Sequence, residues 1–249
     1  MANWSDPRSD TRPNMAGFGG ATADRSAAFD GGLRSYMLSV YNYMASGVLL
    51  TGVVAMLFAS SGMAAQVLGG PGILKYVIMF APLVFVMVLS FGINKLSTAA
   101  AQGLFWAYAA VMGLSLSSIF LVYTGTSIAQ TFFATAAAFA GLSLFGYSTK
   151  KDLSGFGTFL IMGVVGLFVA MLINLFLQSS VMDLVISGVG VLLFAGLTAY
   201  DTQKIKSIYA HVAGTDMMGK TVIMGALNLY LDFINMFLFL LRFMGGSRD

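Results

Sequence analysis

Asp232 stands near the middle of a strongly apolar stretch, residues 221–244. A carboxylate there needs water, a cation or a shared proton to persist, so it marks a functional position by default. A second acid, Asp201, closes the preceding apolar run in Ala199-Tyr200-Asp201-Thr202-Gln203-Lys204-Ile205. If the two carboxyls meet at a dry site they cannot easily both ionise. They then hold one proton between them and titrate as a unit. Loss of that proton leaves hard oxygen ligands, which suit Ca²⁺ better than a thiophilic metal.

Asn228, Asp232 and Asn235 are spaced i, i+4, i+7 and share one helix face, with Arg242 further along in line. Lipid cannot satisfy such a polar stripe, so the last helix is expected to be central, with other helices around it. The two Asn side chains add carbonyl oxygens. Two acids are too few for a tight calcium cage, so weak binding in a permeation path is the expected form. Read singly, each acid has a plainer role. Asp201 fits a helix-end anchor paired with a lysine, and Asp232 fits a hydrogen bond to a neighbouring helix. An Asp dyad also hydrolyses peptides in aspartic proteases. Here one acid falls near the end of its run and the other near the centre, and no enzyme is expected.

Other polar residues carry less. His211 sits in a charged connection and is either a pH-responsive group or a solvated side chain. Asp183 sits at the outer mouth of the sixth run and either attracts cations or is an ordinary helix-start acid. Lys150, Lys151 and Asp152 read as a topology anchor. Gly17-Phe18-Gly19-Gly20 lacks the Lys-Ser/Thr signature of a phosphate loop.

These residues must be held by elements that live in a bilayer. The chain has 249 residues, of which 58% are hydrophobic and 9% charged. Soluble domains carry about 25% charged residues. With a mean hydropathy of +0.84, this composition cannot coat a soluble surface. There is no Cys and no Glu, so thiolate chemistry is excluded and all ten acids are Asp. With one His, a His-rich metal site is not expected. No tightly bound cofactor is expected, only Ca²⁺ as a transported or weakly held ion. The net charge of +3 is small, which argues against nucleic-acid binding.

About 20 apolar residues span the hydrocarbon core. Seven such runs divide the chain, at residues 37–60, 73–91, 99–123, 128–147, 156–177, 181–200 and 221–244. The expected fold is an all-α polytopic membrane protein of seven transmembrane helices. A polar tail (1–32), rich in Asp, Arg, Gly and Pro, is expected to be mobile and to precede the helical domain (33–246). Arg34, Lys95, Lys150, Lys151, Lys204, Lys206 and Lys220 fall in connections on one side. The positive-inside bias puts them, with the N-terminus, in the cytoplasm and the C-terminus outside. A re-entrant last run would return the C-terminus inside.

The two acid-bearing segments, Ala199 to Ile205 and Leu227-Asn228-Leu229-Tyr230-Leu231-Asp232-Phe233-Ile234-Asn235, resemble the signatures of the Bax inhibitor-1 family, the transmembrane Bax inhibitor motif proteins. Lys150-Lys151-Asp152-Leu153-Ser154 is also similar, and the bacterial YccA/YetJ-type branch is the nearest match. The resemblance implies a seven-helix bundle with a central C-terminal helix in a bacterial inner membrane. It implies a pH-sensitive calcium leak governed by a proton-sharing pair, at Asp201 and Asp232 here. Bacterial members can also carry an arginine at the inner end of the second helix that latches onto the pair. This chain has Gly92-Ile93-Asn94-Lys95 there, which makes Lys95 the candidate, with a point contact rather than a bidentate one.

The functional expectation is therefore a pH-sensitive Ca²⁺ leak channel whose partners are lipid, calcium ions and protons. The alternatives are a non-transporting regulator that acts through a membrane protein partner, such as a protease, and a proton-coupled cation antiporter.

Overall fold

The computed structural model describes the backbone of residues 16–246 and the side chains of residues 27–246, in both cases apart from residue 94. Nine helices follow one another among the described residues: α1 (Ala16–Ser60), α2 (Met63–Gly69), α3 (Leu74–Gly92), α4 (Thr98–Leu116), α5 (Ile119–Val122), α6 (Gly125–Ser148), α7 (Ser154–Leu177), α8 (Ser180–Val212) and α9 (Met217–Met244). Taken with α4 and α5 as one span, seven segments are long and apolar enough to cross a membrane. This is an all-α polytopic membrane protein.

Helices start where side chains serve free backbone N–H groups. Ser97, Thr124 and Ser179 accept from the amides of Ala100, Ser127 and Met182, which caps α4, α6 and α8. The third apolar run is not one unbroken helix. At Ser117 and Ser118 the backbone tightens into i→i+3 bonds, and Ser117 Oγ donates to Leu114 O at 2.7 Å. Pro82 lies inside α3, where membrane helices tolerate it.

The last helix is the centre of the bundle. In its most apolar eighteen-residue window 72% of residues are buried, against at most 39% in any other span. It packs on α1, α4, α6 and α8. Tyr230 meets Phe105 and Tyr108 of α4, Phe233 meets Phe132 and Phe139 of α6, and Phe239 stacks on Phe194 of α8. It is one continuous helix of 28 residues, about 42 Å long at 1.5 Å per residue, rather than a re-entrant pair.

Two boundaries differ from the sequence expectation. The sixth span runs on past residue 200 to Val212, three further turns. Charged residues end the apolar run there, but Thr202, Ile205 and Tyr209 keep a buried face at helical spacing, and packing carries the helix onward. The first helix begins at Ala16, inside the stretch expected as a tail. Residues 1–15 of that stretch lie outside the described residues. Phe29 and Tyr36 of α1 lie against the Tyr209 ring at 5.1 and 5.3 Å, which joins α1 to the extension of α8.

Candidate functional site

The α8 and α9 helices are antiparallel neighbours in close register. Gly225, Asp232 and Phe239 recur every seven residues on α9 and so face α8 together. Gly225 lies on Ile205, whose Cγ2 would stand 3.2 Å from an added Cβ. At the other end Phe239 covers Gly190, where an added Cβ would come within 2.6 Å of the ring. These two close approaches bracket Asp232 and bring it to Asp201.

The Asp201 and Asp232 carboxyls are hydrogen-bond neighbours. Asp232 is 4% exposed and its Oδ2 has no partner, while Asp201 is half-buried. Among the described residues, no N–H or other O–H group donates to either carboxyl. A hydrogen bond between them therefore requires that one of the two carry a proton. The other charge bearing on Asp201 is the Lys204 ammonium, one turn further along α8.

The longer α8 also changes the depth of Asp201. It lies about 16 Å from the end of α8 at Val212, and Asp232 about 22 Å from the start of α9 at Met217. The two are thus about one turn apart in depth. The expectation that Asp201 lies at the end of its span is corrected: it is well inside the helix.

The remaining expected site residues are more dispersed. Asn228 and Asn235 fall on the half-buried stripe of α9, beside Asp232 rather than in the contact with Asp201. Asn235 Nδ2 donates to Leu231 O of its own helix at 2.8 Å. Arg242 lies about two turns beyond Asn235 and pairs with Asp183 at the opposite end of the bundle from Lys204, its Nε donating to Asp183 Oδ2 at 2.8 Å. Arg242 thus joins the ends of α8 and α9 and does not touch the acid pair. Lys95 is exposed in the turn after α3, and no described hydrogen bond or ion pair joins it to either acid. His211 is exposed, with Nδ1 3.4 Å from Ser207 O.

Two buried polar contacts beside the pair were not legible in sequence. Thr202, next to Asp201, donates to Ser143 of α6 at 3.3 Å. Thr51 of α1 lies 2.7 Å from the Tyr230 hydroxyl, two residues before Asp232. Isolated Thr and Ser in apolar runs are common, and spacing alone gave no signal for their partners.

Among the described residues, no group of three or more His, Cys, Asp and Glu side chains gathers at one point.

Residues 33–249 match the family model described as "Inhibitor of apoptosis-promoting Bax1". The chain belongs to the Bax inhibitor-1 family. It is 49% identical over 229 residues to the uncharacterized protein RP147 of Rickettsia prowazekii, covering 92% of this chain and 96% of that one. It is 46% identical to an uncharacterized protein of Caulobacter vibrioides, over 91% of this chain and 95% of the relative. With the inner membrane protein YbhL of Escherichia coli K12 it shares 46% identity over 87% of this chain and 94% of the relative. Bacterial membership of the Bax inhibitor-1 family thus extends along nearly the whole chain.

Proposed function

We propose that this protein is a pH-sensitive leak channel for Ca²⁺ and similar cations, regulated by a proton shared between Asp201 and Asp232. The observation that carries the reading is the meeting of two carboxyls with no donor but each other among the described residues. Singly protonated, the pair ties α8 to α9 at the centre of the bundle. When the proton leaves, two negative oxygens face each other in low dielectric, and that repulsion needs a cation or a separation of the helices. Protonation state thereby biases a two-state arrangement of α8 against α9.

The name of the E. coli relative supports placement in the inner membrane. Lys150 and Lys151 after α6, Lys204 and Lys206 in α8 and Lys220 in α9 support a cytoplasmic N-terminus and an external C-terminus. The partners under this reading are lipid, protons and calcium ions.

The test is Ca²⁺ flux into proteoliposomes between about pH 5 and pH 8, for wild type, Asp201→Asn and Asp232→Asn. The wild type is expected to show pH-dependent flux and both variants a flattened profile. Identical profiles from all three would end the dyad mechanism. No flux from any, with a membrane protein co-purifying in equal amount, would favour the regulator. Transport against a gradient would identify an antiporter.

A further inference from the structure

The connection between α6 and α7 is built onto α8 more deliberately than a topology anchor requires. Gln203 holds it from both sides: Oε1 accepts from Leu153 N at 2.8 Å, and Nε2 donates to Lys151 O at 2.7 Å. The Tyr200 ring seats on bare Gly157, where an added Cβ would fall 2.3 Å from Cε2. Between loop and helix lies a cavity of about 270 Å³ lined by Lys150, Lys151 and Lys204, with the hydroxyl residues Ser154, Ser207 and Tyr200.

Lys150, Lys151 and Lys204 supply three positive charges against one acid, Asp152. That acid is engaged: its Oδ1 accepts from Ser154 N at 2.9 Å at the start of α7. Among the described residues, none of the three ammonium groups has a hydrogen-bonded or ion-paired acceptor, although the Lys204 charge bears on Asp201. Like charges gathered in one cavity repel, and the pinned loop keeps them together. Such an arrangement suits a compact anion with several acceptor oxygens. The volume admits a phosphate group, since a water takes about 30 Å³.

We propose that this cavity is a binding site for a phosphate-bearing anion, held by Lys150, Lys151 and Lys204. The phosphate belongs either to a free anion or to an anionic lipid headgroup at the membrane surface. Lys204 lies one turn from Asp201, so an occupant draws on the same charge that faces the acid pair. That last consequence rests on the channel reading; the binding site does not.

The test uses the full-length protein, without a calcium gradient, so its outcome is independent of flux. In phosphatidylcholine nanodiscs, inorganic phosphate is titrated and followed by ³¹P line broadening. In parallel, native mass spectrometry compares retention of phosphatidylglycerol with that of phosphatidylcholine. Binding of phosphate indicates a soluble anion, and selective retention of phosphatidylglycerol indicates a headgroup. Either result supports the site if the triple variant Lys150→Gln, Lys151→Gln, Lys204→Gln weakens it about tenfold or more while Lys75→Gln, at the other end of the bundle, does not. Gln203→Leu keeps all three charges but frees the loop, and is expected to weaken binding. Should the triple variant fail to fold, Lys151→Gln alone and the salt dependence of wild-type binding decide. No binding of either probe, or equal binding by wild type and lysine variants, overturns the proposal.

Discussion

Tyr230 donates its phenol proton to Thr51 across 2.7 Å at the centre of the bundle. The direction follows from a second bond: the one hydroxyl proton of Thr51 goes to Ala109 O, also at 2.7 Å. Three helices, α1, α4 and α9, are thereby joined two residues from Asp232.

Removing that proton donor tests the link. Tyr230→Phe is expected to cost about 1 kcal/mol, in the range of interhelical hydrogen bonds in membranes. Thr51→Val leaves the buried Tyr230 hydroxyl without an acceptor and is expected to cost more, about 1–3 kcal/mol. Thermal unfolding in detergent measures both. Equal stability of all three proteins would show that the bond contributes nothing net.

Gly146 gives a second test. A Cβ there would stand 2.2 Å from Ala199 O, and a backbone atom in a helix cannot swing aside. Gly146→Ala must push α6 away from α8 just before Asp201. Overpacking of this kind costs about 1–3 kcal/mol. Gly141→Ala, on the same helix but facing open space, is the control and is expected to leave stability unchanged or raised. A drop in melting temperature for Gly146→Ala alone confirms that the close approach is required.

Which lysine acts on the acid pair is measurable. The charge bearing on Asp201 is that of Lys204, while Lys95 is exposed with no contact to either acid. Lys204→Gln is expected to shift the pH of half-maximal flux, and Lys95→Gln to leave it in place. A shift with Lys95→Gln and none with Lys204→Gln would restore the latch expected at the end of the second span.

Asp152 sets a local pH dependence outside the membrane spans. Hydrogen bonds from the Ser154 hydroxyl and then from its backbone N–H favour the charged form and hold the carboxyl below the usual carboxylate value. A depressed folded-state value means that the stabilisation is full above the ordinary carboxylate range and is lost as pH falls through the lowered value. Amide exchange at Ser154 is therefore expected to be slow at neutral pH and to lose its protection on acidification. In Asp152→Ala it is expected to be fast at every pH. The group is fully exposed, so global stability should hardly change.

Much of this molecule was written in local pattern. Runs of about 20 apolar residues set the number of spans, because a bilayer offers no other partner for that surface. The stripe of Asn228, Asp232 and Asn235 placed the last helix at the centre, since lipid cannot solvate it. Asp201 and Asp232 stood out for the same reason: an acid in oil is costly wherever the chain folds.

Distances and boundaries depended on contacts between segments far apart in sequence. The α8 helix passes beyond Asp201 because Ile205 and Tyr209 find partners on α9 and α1, which a local hydropathy count does not register. Arg242 goes to Asp183 and Lys95 to the surface because helix packing, rather than charge, decides which side chains share a space. The meeting of the two carboxyls is of this kind. Each acid alone is a local fact of the sequence, but their contact follows from the register in which Gly225 and Gly190 let α8 and α9 close on one another.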